Sequence, residues 1–305
     1  MTEPLTEQAK SRYILTGYVL TAVSSVTFSA KSILAKYIYA YNVTPETLLA
    51  LRFIMALPFF YILMYFMPSE KVGRRDLLYL MASGLLGVYI AAMTDFHGLL
   101  YIDATLERII LYTYPAMVII ITAVFLKEGI DKSKIIAIAL TYLGLAFALK
   151  VFSGGLSGHL FGAALVLISA TVYSGSYVLT QVVSLRVSPV KVAAYTTTTA
   201  TCAFLATWRF EAFPTEPNAW WLIFAVAFFS TFIPFITLAV GIKRIGASKA
   251  AITSTVGPVA TAIAAALLLN EEMTLSQLFG MALVILGVFI ISIKKAPIKD
   301  CKIPR

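Results

Sequence analysis

Charged side chains interrupt several long apolar segments of this 305-residue sequence. A charge at the centre of a membrane-spanning helix costs about 2.5–3.5 kcal/mol on insertion scales, so it requires a partner or a wet cavity. Lys31 or Arg108 could bind a carboxylate, while Asp95 or Glu107 could bind an ammonium group or carry a coupling proton. This mixture of charges favours recognition of a zwitterion over recognition of a phosphate ester.

Snorkelling to the membrane interface is the alternative role for charges near the ends of apolar segments. We expect it for Arg52, Asp103 and His97, which lie near predicted helix ends. Glu107 and Arg108 are adjacent and point about 100° apart on a helix, so they cannot serve one another directly. At least one of these two is therefore expected to face the interior.

Lys31 lies deeper in its segment, since several residues follow it before the predicted helix end. Ser24, Phe28 and Lys31 recur at i, i+4 and i+7 and therefore share one helix face. Two roles are open at this point. Lys31 lines a cavity, or it pairs structurally with Asp95 or Glu107.

Two prolines within apolar segments deprive backbone carbonyl groups of their helical donors. Pro115 does so for Leu111, and Pro258 does so for Ser254. In a membrane such carbonyls need side chains, water or a ligand, although a simple kink is the commoner outcome. Hydroxyl-bearing rings are further candidates for lining a cavity, with packing as their alternative role: Tyr112, Tyr173 and Tyr177.

Membrane-spanning helices are the elements that must position these residues. Hydrophobic residues make up 60% of the chain and charged residues 13%, whereas soluble domains carry about a quarter charged residues. The apolar blocks are too long and continuous to be alternating barrel strands. The net charge of +9 comes from basic residues between the blocks, which indicates membrane topology and not nucleic-acid binding.

Ten apolar segments are predicted to be helices, with both chain termini on the cytoplasmic side. With the N-terminus inside, eighteen basic residues fall in inside segments and three in outside segments, as the positive-inside rule requires. The predicted helices cover residues 14–35, 48–67, 77–96, 105–126, 135–149, 160–183, 190–208, 220–242, 249–269 and 277–293.

The sequence contains an internal repeat. A shift of 143 residues aligns 104–150 with 247–293 without a gap, and it places Pro115 on Pro258 and Glu128 on Glu271. Because five helices return a chain to the opposite side, the second copy is expected to be inverted in the membrane. Glu128 and Glu271 would then lie at opposite faces, as turn or gate elements.

Three pairs of motifs recur in the two copies of the repeat. They are Tyr114-Pro115 with Gly257-Pro258, the turns Phe125-Leu126-Lys127-Glu128 and Leu268-Leu269-Asn270-Glu271, and Gly144 with Gly287. The repeat and these motifs resemble the drug/metabolite transporter superfamily, specifically its EamA-type members, in which Gly144 and Gly287 correspond to close-packed glycines. Glycine is usual in that family where this chain has Lys127 and Asn270, a mild departure.

This resemblance implies an all-α transmembrane fold with two inverted five-helix repeats, 14–150 and 160–294, around a central cavity. Cytoplasmic tails would cover 1–13 and 295–305. The family transports amino acids, sugars, nucleotides or other metabolites. We therefore expect an exporter of a small polar metabolite, with an amino acid or related zwitterion favoured, that works by alternating access in the plasma (inner) membrane.

Other functions are open at this point, namely an uptake carrier for a different metabolite class or a flippase of a lipid-linked small molecule. An intramembrane enzyme is disfavoured, because His97 and His159 lie in different loops and two cysteines cannot complete a metal site. We expect no cofactor and no metal, with a small-molecule substrate and the lipid bilayer as partners. The sequence does not determine substrate identity, driving ion or oligomeric state.

Overall fold

The protein is described by a computed structural model that covers residues 7–66, 71–102, 107, 110–148, 160–260 and 275–293. All regular secondary structure within these ranges is helical, which confirms the predicted class at that level. The helices are α1 (Glu7–Tyr39), α2 (Pro45–Tyr65), α3 (Arg74–Ser83), α4 (Ala91–Gly98), α5 (Tyr114–Phe125), α6 (Lys132–Ala148), α7 (Leu160–Ser184), α8 (Pro189–Thr207), α9 (Pro217–Ala227), α10 (Ile233–Ile245), α11 (Ala247–Thr253) and α12 (Leu275–Ile293).

Five stretches are long and apolar enough to cross a membrane, and each overlaps a predicted segment. Parts of the fourth and ninth predicted segments lie outside the described residues, so the number of ten crossings stays a prediction. The five stretches are Ser11–Lys31, Pro45–Tyr65, Arg74–Gly98, Leu160–Ser184 and Pro217–Ile245.

The outside of the helical bundle is apolar, whereas its interior holds many polar groups. Large side chains such as Leu15, Phe161 and Trp221 are exposed on the outside. Hydroxyl groups of Ser24 and Thr201, in contrast, are buried and hydrogen-bonded to backbone carbonyls. This distribution suits a bundle surrounded by hydrocarbon, where polar groups must find partners inside the protein.

Two of the long helical stretches contain π-helical turns at corresponding positions. Gly84–Ile90 joins α3 to α4, and Phe228–Phe232 joins α9 to α10. The repeat offset places the second turn within the first. π-helical turns are rare and often lie at functional sites. These turns cannot be predicted from the sequence, because no residue type marks them reliably.

The packing of the helices is preserved when the two halves are exchanged. α1 packs against α10, and its counterpart α7 packs against α4. In the same way, α5 packs against α7 and α11 packs against α1. In the pairs α2–α8, α5–α11 and α6–α12, each helix packs against its own counterpart in the other half. The contact pattern of the described helices therefore has an internal twofold relation.

Paired glycines allow close approaches between these helices. A Cβ added to Gly241 in α10 would lie 3.3 Å from the carbonyl oxygen of Gly17 in α1. A Cβ added to Gly98 in α4 would lie 3.1 Å from the carbonyl oxygen of Gly162 in α7. Because the offset of 143 residues pairs Gly98 with Gly241, the same type of backbone contact occurs in both halves.

The positions that carry the family resemblance also have structural reasons. A Cβ on Gly144 would lie 2.9 Å from Val284 Cγ2, and one on Gly287 would lie 2.8 Å from Thr141 Oγ1, which confirms both glycines as close-packed. Lys127 has φ 54°, in the left-handed region that glycine adopts at low cost. This backbone conformation accounts for the usual glycine at that point of the turn.

Candidate functional site

Three adjoining compartments lie between the two halves of the bundle. Tyr173 of α7 and Phe235 of α10 line all three compartments, which are therefore immediate neighbours. Their volumes are about 40, 30 and 60 Å³. Such spaces admit water, but they are far smaller than the roughly 300–1,000 Å³ of a pocket for a drug-sized ligand. A substrate must therefore be small or displace lining side chains.

Each compartment is named by the polar residues in its wall. The charged compartment is lined by Lys31, Arg52, Asp95 and Ser169. The tyrosine compartment is lined by Tyr112, Tyr114, Tyr173, Tyr177, Ser25 and Ser254. The hydroxyl compartment is lined by Ser83, Ser176, Thr180 and Thr196.

Lys31 and Asp95 form a buried ion pair in the charged compartment. Lys31 Nζ lies 2.8 Å from Asp95 Oδ2, and the two side chains are 5% and 3% exposed. The ammonium group also lies 4.5 Å from the centre of the Phe28 ring and 5.4 Å from that of Phe96, within the range of cation–π attraction. The two roles open for Lys31 thus occur together, since it pairs with Asp95 and also lines a cavity.

Arg52 is buried, so the expectation that it snorkels to the interface is wrong. The residue is 2% exposed and lines the charged compartment. Its Nε donates to Thr231 Oγ1 at 2.5 Å, and its Nη2 donates to the Ser230 carbonyl at 2.7 Å. Both acceptors belong to the π-helical turn between α9 and α10. That turn supplies the polar groups that hold the guanidinium inside the bundle.

The other charges named from the sequence lie elsewhere. His97 Nε2 is 2.9 Å from Glu46 Oε1, and both side chains are about one-third exposed, as expected for interfacial groups. Glu107 is buried, but it is not among the residues that line the three compartments. Arg108 and Asp103 lie outside the described residues.

Four tyrosine rings pack together around the tyrosine compartment. The ring centres of Tyr173 and Tyr177 are 5.1 Å apart, and the ring of Tyr114 lies 5.3 and 5.4 Å from them. Tyr112 is 5.7 Å from Tyr114 between ring centres. The hydroxyl groups of Tyr177 and Ser254 are 3.3 Å apart. Aromatic faces and hydroxyl groups from both halves therefore meet in one wall.

At the helix break before Pro258, a backbone carbonyl of one half accepts a hydrogen bond from a side chain of the other half. Both prolines are buried, and Pro115 occupies the first turn of α5, where a missing N–H costs little. The Ser254 carbonyl accepts a short hydrogen bond from the hydroxyl of Ser25 in α1. A side chain is thus one partner of this carbonyl. Ser25 was missed by the sequence analysis, because a serine in an apolar helix gives no charge or periodic signal.

At one end of the bundle, Glu128 connects three elements. Gln181 Nε2 in α7 donates to Glu128 Oε1 at 2.7 Å, and Ser248 Oγ in α11 donates to Oε2 at 3.1 Å. Lys134 Nζ in α6 lies 3.3 Å from the same carboxylate. We call these four residues the Glu128 cluster. Gln181 was missed by the sequence analysis, and Glu271 lies outside the described residues.

The two ends of the bundle differ. Near the Glu128 cluster, Arg186 contacts Asp76 through both Nε and Nη2, the latter at 2.7 Å from Oδ1. This hydrogen bonding raises the pKa of Arg186 above its ordinary value, so the guanidinium stays charged. At the opposite end, a cavity of about 390 Å³ is lined by Glu46, Trp208 and Arg209. Polar contacts lie at both ends, including the His97–Glu46 contact at the second, and the second end also holds the larger space.

These features define an α-helical, multi-pass membrane protein built from two similar halves. The model of the EamA-like transporter family matches the chain twice, at residues 15–150 and 160–293. The chain therefore belongs to the EamA-like transporter family. It is a transporter and not an enzyme, with a small molecule and membrane lipids as its partners.

Relatives are similar over almost the whole chain. The Uncharacterized transporter YcbK of Bacillus subtilis (strain 168) is 31% identical over 297 residues, which are 93% of this chain and 94% of the relative. An Uncharacterized transporter of Archaeoglobus fulgidus is 27% identical, over 83% of this chain and 90% of its own. A solved crystal structure of a protein superposes with a TM-score of 0.74 at 18% identity, over 94% of this chain and 97% of that one, and it supports the fold alone.

Proposed function

We propose that this transporter exports a small polar zwitterion, with an amino acid favoured, by alternating access. The observation that carries the proposal is the Lys31–Asp95 pair, whose opposite charges lie 2.8 Å apart in one buried compartment. The substrate carboxylate would replace Asp95 at Lys31, and the substrate ammonium would replace Lys31 at Asp95. This exchange keeps both charges of the Lys31–Asp95 pair matched by an opposite charge in the empty and the loaded site.

The adjoining tyrosine compartment would receive the rest of the substrate. It shares Phe28, Leu111 and Tyr173 with the charged compartment, so a molecule bound at the ion pair reaches its wall. Tyr112, Tyr177 and Ser254 would offer aromatic faces and hydroxyl groups to the substrate side chain. Binding would widen these small compartments by moving their rings.

Alternating access would follow from two inverted five-helix repeats, 14–150 and 160–294, that exchange conformations. The α1–α10 contact has the α7–α4 contact as its counterpart in the other half, which supports this arrangement. The breaks at Pro115 and Pro258 would place flexible points of both repeats beside the cavity. The Glu128 cluster would then be a gate at one end of the bundle.

The basic residues between the apolar segments support the orientation of the protein in the membrane. Both tails, 1–13 and 295–305, would be cytoplasmic, and the membrane would be the plasma (inner) membrane. The Glu128 cluster would then face the cytoplasm. Because Asp95 would bind the substrate ammonium group, a coupling proton would be carried by Glu107. Glu107 and Arg108 remain candidate substrate-binding residues near the outer end of the fourth predicted segment, 105–126.

Transport assays on purified protein in proteoliposomes test this function. A panel of labelled amino acids, sugars and nucleosides is exchanged against internal substrate, and amino acids are expected to exchange. Lys31→Met or Asp95→Asn alone leaves one buried charge without its partner, which is expected to cost about 3–5 kcal/mol of stability. The double variant removes both charges and should recover stability without recovering transport.

The double variant separates a binding role from a structural one. If it is as stable as the native protein and transports amino acids at the native rate, the pair is structural and the proposed site is wrong. Exchange of sugars or nucleosides without amino acids would overturn the substrate class.

A further inference from the structure

Arg52 adds a positive charge to the cavity that the Lys31–Asp95 pair does not explain. A guanidinium has five N–H donors, and Arg52 gives one to the Thr231 hydroxyl and one to the Ser230 carbonyl. Both of these acceptors are neutral. Among the described residues, no carboxylate lies within ion-pair distance of Arg52.

The position of Arg52 relates it directly to the ion pair. Arg52, Lys31 and Asp95 line the same compartment. Phe28 lies near both cations, because its ring centre is 4.5 Å from Lys31 Nζ and 6.0 Å from Arg52 Cζ. Among the described residues that line the charged compartment, two thus have cationic side chains and one has a carboxylate. A zwitterion exchanges with the pair but leaves this excess positive charge unbalanced.

We infer that the substrate carries a second acidic group, so that an amino acid with an acidic side chain, net charge −1, is the preferred class. Arg52 would bind the side-chain carboxylate, since the planar guanidinium matches a carboxylate in a bidentate contact. Lys31 and Asp95 would bind the α-carboxylate and the α-ammonium group. This inference rests on the proposed function and adds to it the sign of the substrate charge.

A purely structural role is the alternative for Arg52. Its two hydrogen bonds hold the π-helical turn, and that role requires no ligand. The two roles differ in a measurable way. Loss of a structural contact weakens transport of every substrate, whereas loss of an anion-binding group weakens only the substrates that carry the anion.

Competition between an acid and its amide measures this difference. Glutamate and glutamine have nearly the same shape and differ in one charge, as do aspartate and asparagine. In proteoliposomes, the native protein should prefer each acid over its amide by at least about tenfold, the factor expected from one hydrogen bond to a charged group. Arg52→Gln should reduce this preference to about one while transport of the amides persists. Arg75→Gln, the same change at an exposed position, should leave the preference unaltered.

The outcomes distinguish the two proposals. Equal competition by acid and amide in the native protein overturns the inference and leaves amino-acid transport intact. Transport of neither acid nor amide overturns the inference, and transport of no amino acid of the labelled panel by native protein that is folded by thermal melting overturns the proposed function as well. If Arg52→Gln lowers transport of acids and amides by the same factor, Arg52 is structural and the inference fails. Arg52→Lys, which keeps the charge without the planar fork, should keep a preference between those of the native protein and Arg52→Gln.

Discussion

The hydroxyl group of Ser24 donates a 2.8 Å hydrogen bond to the backbone carbonyl of Pro234, at the start of α10. The other half repeats this contact, because the hydroxyl group of Ser169 donates at 2.8 Å to the carbonyl of Ala91, at the start of α4. Ser24 and Ser169 hold equivalent places in α1 and its counterpart α7, and the offset of 143 residues pairs Ala91 with Pro234. Both acceptors follow a π-helical turn. The two halves are therefore joined by matching contacts on either side of the cavity.

Removal of these two hydroxyl groups should have matching effects. Ser24→Ala and Ser169→Ala should each lower the free energy of unfolding by about 1 kcal/mol, because each leaves a buried carbonyl with one donor fewer. Unfolding in detergent micelles, followed by circular dichroism, measures the change. Thr27→Ala is the control, since the Thr27 hydroxyl bonds only to carbonyls of its own helix. A clear loss in one serine variant and none in the other would contradict the equivalence.

Much of the fold could be predicted from the sequence, because long apolar segments in a chain with few charges can form few structures other than membrane-spanning helices. Lys31 was singled out for a similar reason, as a charge far from a helix end. Arg52 was misjudged because its distance along α2 says nothing about the π-helical turn that α9 and α10 bring to it. Ser25 and Gln181 were missed because their roles exist only through partners that are distant in the chain.

Glycine substitutions in α7 should separate close packing from helix propensity. A Cβ on Gly162 would lie 2.7 Å from Tyr101 Cβ and 2.9 Å from Ile102 Cγ2, whereas one on Gly175 meets nothing within 4 Å. Gly162→Ala should therefore destabilise the protein by about 1–3 kcal/mol. Gly175→Ala should be neutral or stabilise it by up to about 1 kcal/mol, since alanine is the better helix former. Thermal melting in detergent measures both, and equal melting temperatures would refute the close approach of α7 to α4.

Loss of the Glu128 cluster should open the bundle at that end. Gln181→Ala removes the 2.7 Å hydrogen bond to Glu128 and the 2.5 Å contact with the Ala247 amide. A cysteine introduced as Thr180→Cys, in the wall of the hydroxyl compartment, reports the opening when Cys202 and Cys301 are replaced by serine. Its labelling by a membrane-impermeant maleimide from the Glu128 side should rise by about tenfold, as expected for one hydrogen bond to a charged group.

The control for this gate is Gln8→Ala, the same truncation at an exposed position near the start of α1. It should leave the labelling rate unchanged. A Gln181→Ala variant that labels at the native rate, while keeping its melting temperature, would mean that the cluster only stabilises the turn after α5. Faster labelling from the opposite side would contradict the placement of the gate.

The two tails should lie on the same side of the membrane, because two repeats of five helices make an even number of crossings. Cys202→Ser leaves Cys301, in the C-terminal tail, as the single cysteine. Thr2→Cys in a background that lacks both native cysteines places the label in the N-terminal tail. Both variants should react with a membrane-impermeant maleimide in inside-out vesicles and remain unlabelled in intact cells, since the distribution of basic residues predicts that both tails are cytoplasmic. Labelling of one tail in cells and of the other in vesicles would mean an odd number of crossings. That result would contradict both the inverted relation between the halves and the proposed binding cavity between them.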